Sequence, residues 1–116
     1  MKYNIITLCG STLFYNEFIS TQQTLESNGI ITLIPSFFSK SRDKKLWSQL
    51  PQEKKDMMIA ALKDIHFRKI DISDAILVID VGQYIGDAIQ DEITYAEANG
   101  KDVLYWSQLE EEEYDE

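Results

Sequence analysis

The sequence holds one cysteine, Cys9, and one histidine, His66. A lone thiol cannot form an internal disulfide, so a reducing cytosol is the expected compartment. No second His or Cys stands at ligand spacing, so neither a metal nor another cofactor is expected from the linear pattern. No apolar run approaches the roughly 20 residues of a membrane helix. The start, Met1-Lys2-Tyr3-Asn4, passes directly into a strand pattern without the apolar stretch of a signal peptide, and no membrane partner is expected. Basic residues are also scarce, 11 against 20 acids. Six of those acids lie in the last seven residues, Glu110 to Glu116; with them set aside, the net charge of −9 becomes −3. A body of that charge argues against a nucleic-acid polymer as partner. Proline (two) and glycine (five) are few enough that each one punctuates the chain.

What is present is a packed-domain composition. The 116 residues are 44% apolar, enough for one core. Residues 4–8 (NIITL) form a short apolar run that ends at Cys9-Gly10-Ser11-Thr12, a buried strand entering a tight turn. From Phe14 the apolar spacing becomes helical, and Asn28-Gly29 stops it. Residues 30–34 (IITLI) read as a second strand closed by Pro35. Between Ser36 and Leu50 no period is visible; Arg42, Lys44 and Lys45 stand beside Phe37, Phe38 and Trp47, a composition suited to a lid or an oligomer contact. Pro51 opens a long helix to about Ile70, with Met58, Ala61, Leu62, Ile65 and Lys69 down one side. Residues 75–81 (AILVIDV), apolar until Asp80, read as a central parallel strand. A turn over 82–86, a helix over 87–99 ended by Gly100, and a last strand over 103–105 complete the order.

Alternating strands and helices predict an α/β, three-layer, Rossmann-like or flavodoxin-like domain over residues 1–109. Its parallel sheet has four strands, or five, in the order 2-1-3-4, and residues 110–116 form an acidic tail. Ligands of such sheets bind outside the strands' carboxyl ends, where the winding reverses, here between strands 1 and 3.

Several groups are expected at that crevice. Glu92 falls three residues after Ile89 and four before Ala96, on the inward stripe of the helix after strand 3. A carboxylate buried there without a partner would cost several kcal/mol, so either it has a task or it reaches water from the stripe's edge. Asp80, at the end of the central strand, could contact a sugar hydroxyl or cap the following turn. Gly82 and Gly86 bracket Tyr84 and allow backbone to approach a ligand, though the spacing matches no phosphate-binding fingerprint. His66 reads either as a polar ligand contact or as a surface histidine. Cys9 reads either as an exposed nucleophile or as a small buried apolar group.

The chain also resembles the short, single-domain members of the nucleoside 2-deoxyribosyltransferase-like superfamily. The resemblance lies in Cys9-Gly10-Ser11-Thr12 with Phe14, in His66-x-x-Lys69-Ile70-Asp71, and in Tyr84-Ile85-Gly86 leading to Glu92-Ile93-x-Tyr95-Ala96. It implies an enzyme acting on the N-glycosidic bond of a (deoxy)nucleoside or nucleotide, a transferase or hydrolase. Glu92 would be its nucleophile, and His66 and Asp80 would orient sugar or base. Cys9, Gly10, Ser11, Thr12, Phe14, Gly82, Tyr84 and Gly86 would line the substrate site. It further implies a homo-oligomer, because sites of the superfamily are often completed across subunits. Four positions depart from the pattern: Leu13 stands for Arg, Asp80 for Asn, Gln83 for Gly, and Ala88-Ile89 for Ser-Thr. These make the site more acidic and less suited to phosphate. They point either to a nucleoside substrate or to the alternative function, a non-catalytic protein that senses or sequesters a nucleotide-derived small molecule.

Overall fold

The computed structural model describes residues 2–36 and 47–112. The expected lid residues Phe37, Phe38, Arg42, Lys44 and Lys45, and tail residues 113–116, lie outside them. Strand β1 (Ile5–Gly10) leads through a 3₁₀ turn (Thr12–Phe14) into helix α1 (Tyr15–Ser27), followed by β2 (Ile31–Leu33). Helix α2 (Gln52–Asp71), β3 (Ala75–Ile79), a 3₁₀ turn (Val81–Gln83), helix α3 (Asp87–Ala98), β4 (Asp102–Tyr105) and helix α4 (Trp106–Glu112) complete it. The sheet is parallel throughout, in the order β2-β1-β3-β4. This is the predicted Rossmann-like arrangement with the predicted strand order. No helix among the described residues is long and apolar enough to cross a membrane.

Strand alternation divides the core in two. Ile6, Leu8, Ala75, Leu77 and Ile79 face α1 and α4, packing with Phe18, Leu25, Trp106 and Leu109. Cys9, Ile76 and Val78 face α2 and α3, packing with Ile70, Ile93 and Ala96. All five residues of β3 are buried, as its unbroken apolar run requires of a strand covered on both sides.

Helix α4 was not anticipated. Its anchors, Trp106 and Leu109, are three residues apart and pack on the core, so they bring one helical face down onto the sheet. The start of the acidic run is helical, since α4 runs through Glu112. The inward face of α2 also differs in phase from the expected stripe. Its buried residues are His66 and Ile70, whereas Ala61 is exposed.

The amino ends of β1 and β3 are tied by one carboxylate. Asp74 Oδ2 accepts the backbone N–H of Asn4 (2.7 Å) and of Ile5 (3.0 Å). Those donors hold the Asp74 carboxyl below its ordinary value of 3.8. A group depressed on folding stabilises above its unfolded pKa, and the contribution is lost as pH falls through the lower, folded value. Asp74→Asn is therefore expected to melt below wild type at pH 7, with the gap closing as pH drops below 3.8. Thermal scans at a series of pH values check this; a gap constant across the series would show that the charge of Asp74 is irrelevant.

Candidate functional site

The carboxyl ends of β1 and β3 adjoin each other, with Cys9 paired to Val78 and Gly10 to Ile79. Cys9 is fully buried and directed to the α2–α3 side, which excludes an exposed nucleophile. Two helices bring partners to it. His66, four residues before the core residue Ile70 on α2, is 8% exposed, so the surface alternative is excluded as well. Glu92 precedes the core residue Ile93 on α3, and its side chain is 14% exposed. Its Oε1 lies 3.0 Å from His66 Nε2, and Cys9 Sγ lies 3.5 Å from the same nitrogen. The Glu92 carboxylate thus turns inward against an imidazole and a thiol.

Burial, and then the charge of neighbouring Glu92, push the Cys9 thiol well above its ordinary value, so it stays protonated at neutral pH. His66 Nδ1 is buried and has no hydrogen-bond partner among the described residues. Cys9, His66 and Glu92 form a group of potential metal donors, all within 4.8 Å of one another. Its members come from β1, α2 and α3, which is why no ligand spacing along the sequence announces it.

Around this centre the loops are fastened by local contacts. Ser11 Oγ accepts the Leu13 N–H (3.1 Å) and caps the 3₁₀ turn, while Thr12 is exposed and Leu13 is 75% exposed. Phe14 meets Tyr84 edge to face, with centroids 6.2 Å apart, joining the loop after β1 to the loop after β3. The Tyr84 ring covers Gly86: a methyl group at Gly86 would come within 3.3 Å of Tyr84 Oη. Tyr84 is otherwise 55% exposed. Gly82 and Gln83 both adopt left-handed backbone, φ 62° and 63°. Glycine takes this conformation freely, whereas glutamine is strained by about 1 kcal/mol. The strained position lies in the loop that follows β3.

Two motif positions have structural duties. Lys69 Nζ donates to the Ile34 carbonyl (2.7 Å), pinning the chain after β2 to α2, and its burial lowers its pKa. Tyr95 Oη donates to Asp71 Oδ1 (2.5 Å), joining α3 to α2. Asp80 is the site residue placed otherwise than expected. Its Oδ1 accepts the Ser107 N–H (2.9 Å) and its Oδ2 the Ser107 hydroxyl (2.8 Å). It therefore caps helix α4, not the turn that follows it, and the reason is the unanticipated helix. Asp80→Ala leaves the Ser107 donors without an acceptor, and should cost about 2 kcal/mol. Urea unfolding measures it; an unchanged midpoint would mean that α4 does not depend on this cap.

The centre thus combines a mostly buried carboxylate, its imidazole partner and a protonated thiol beside the point where the sheet's winding reverses. The chain matches no family model, no curated protein and no solved structure among those compared.

Proposed function

We propose that this domain cleaves or transfers the N-glycosidic bond of a (deoxy)nucleoside or nucleotide, with Glu92 as nucleophile. The observation that supports the reading most is the position of that carboxylate. It is largely withdrawn from water, its hydrogen-bond partner on α2 is His66, and it lies on the helix that follows β3, beside the switch point where α/β sheets bind ligands. Desolvating a carboxylate is costly, and here a histidine and a thiol compensate it.

In the reaction, a Glu92 oxygen attacks the anomeric carbon. The carbon–nitrogen bond breaks and the base leaves with the electron pair. The sugar then rests on Glu92 as an ester, and water or a second base takes it from the opposite side. His66 Nε2 holds the carboxylate in one orientation. Phe14 and Tyr84 offer an aromatic edge against which a base can stack. With Leu13 where the resembled pattern has Arg, and Ala88-Ile89 opening α3, the site lacks phosphate donors at those positions, which favours nucleosides over nucleotides.

The test incubates the full chain with ribo- and deoxyribonucleosides and their 5′-monophosphates and follows base release and base exchange by chromatography. Turnover by wild type that vanishes in Glu92→Ala supports the reading. Release unchanged in that variant, or absent throughout the panel, overturns it. Absence accompanied by saturable thermal stabilisation would return the binding-protein alternative.

A further inference from the structure

The three donor atoms beside the carboxyl ends of β1 and β3 cluster together instead of forming a chain. In a nucleophile–base–orienter relay, the neighbours of a histidine use different ring nitrogens. Here Cys9 Sγ (3.5 Å) and Glu92 Oε1 (3.0 Å) both face His66 Nε2, and Nδ1 has no partner among the described residues. The Cys9 thiol is in hydrogen-bond contact with the Glu92 carboxylate as well, so each donor faces the other two, and a cation between them would meet all three.

We propose that Cys9, His66 and Glu92 bind a single divalent transition-metal ion of the zinc class. The spacing fits. Zinc bonds of about 2.3 Å to sulfur and about 2.0–2.2 Å to nitrogen and oxygen, at tetrahedral angles, set donor atoms roughly 3.3–3.6 Å apart. The two nitrogen separations, 3.0 and 3.5 Å, stand within a few tenths of an ångström of that, and all three donors lie within 4.8 Å of one another. The donor types select the ion: the Cys9 thiol, which gives up its proton to solvent when the ion binds, together with imidazole favours zinc and its neighbours, whereas magnesium and calcium take oxygen alone. Each donor sits on a separate packed element, β1, α2 or α3, beside a core residue, so the triangle is held before any ion arrives. Three protein donors leave the fourth position to water or another small ligand. The bare Nδ1 removes the outer hydrogen bond that usually orients a ligating histidine, which weakens binding by about 10–100-fold relative to a fully supported site.

The metal site does not depend on the nucleoside reading. It shares Glu92 with it, so an ion in place ties down the carboxylate and turnover stops; metal occupancy and catalysis exclude each other.

The experiment titrates chelator-stripped full chain, kept reduced, with Zn²⁺ against a chromophoric chelator, and separately with Co²⁺ followed by absorption. One ion per chain is expected, with a cobalt–thiolate charge-transfer band in the near ultraviolet and the visible bands of tetrahedral cobalt. Cys9→Ser should remove the charge-transfer band, and Cys9→Ser and His66→Gln should each weaken Zn²⁺ binding by about 100-fold or more. Replacing the acids of 110–116 with serine should change neither. Circular dichroism establishes that each variant is folded; if Cys9→Ser is not, His66→Gln decides by loss of affinity and of the tetrahedral cobalt bands. No charge-transfer band in wild type, or affinity unchanged in both folded ligand variants, overturns the proposal. Base release from metal-free chain is measured in parallel, so failure of the metal site leaves the glycosidic reading standing, and the converse holds too.

Discussion

Glu92→Gln is expected to abolish base release, by a factor on the order of 10⁴ or more, while leaving the protein as stable as wild type or more stable. The first part follows from the chemistry. Removing the nucleophile of a covalent mechanism commonly costs on the order of 10⁴ to 10⁶ in turnover, because nothing else forms the intermediate. The second part separates a functional carboxylate from a structural one. Glutamine at position 92 can still hydrogen-bond to the His66 ring. The amide therefore removes a desolvated charge and leaves no uncompensated charge behind. The reverse change is not symmetric. His66→Ala strips the buried Glu92 carboxylate of its hydrogen-bond partner on α2, and should destabilise by about 3 kcal/mol. Thermal melts of the two variants beside their rates decide the matter. A glutamine variant that melts well below wild type would mean that the pair exists to hold α2 against α3, and the costly burial would then need no catalytic explanation.

This asymmetry bears on how much the sequence discloses. The sheet is legible because its cause is local. Residues 75–79 are apolar without interruption, and the switch from strand to helical period after Cys9 and after Tyr84 fixes the alternation from which the order 2-1-3-4 follows. The inward face of Glu92 is legible too, since Ile93 and Ala96 set the phase of α3. His66 is harder to place. The apolar residues of α2 are spread over Met57, Met58, Ile59, Leu62, Ile65 and Ile70, and Met57 and Ile59 prove exposed, so the buried line through His66 is ambiguous from spacing. Helix α4 is hidden because seven residues with three successive glutamates carry almost no periodic signal; its Trp106–Leu109 spacing is the one cue. The Asp80–Ser107 cap depends on that helix and is hidden with it. The meeting of Cys9, His66 and Glu92 is not legible at all. Fifty-seven residues separate the first two and 26 the last two, and only the β1–β3 register and the packing of two helices on one face bring them together.

Phe18→Ala should produce the largest loss of stability in the domain, about 3–5 kcal/mol. Phe18 is fully buried on α1 and is the bulkiest of the fully buried side chains, inside the core face formed by Ile6, Leu8, Ala75, Leu77 and Ile79. Removing its ring deletes the apolar contact and leaves a cavity that the paired strands cannot close. For a domain whose total stability is roughly 5–15 kcal/mol, such a loss removes between about a fifth and all of it, and the midpoint of urea unfolding falls in proportion. The position of the ring ties this loss to the site. A methyl group on Gly10 would lie 3.2 Å from Phe18 Cζ and 3.1 Å from Ile79 Cβ, so ring, Gly10 and Ile79 are in contact under the ends of β1 and β3. With the ring absent, those ends lose the support that holds Cys9 and the 80–86 loop in register. Activity in Phe18→Ala should therefore fall further than its folded fraction, and Phe18→Leu, which fills most of the space, should recover both. Rates corrected for the folded fraction by circular dichroism make the comparison. A corrected rate equal to wild type in Phe18→Ala would show that the crevice is positioned without this packing, by the sheet hydrogen bonds alone.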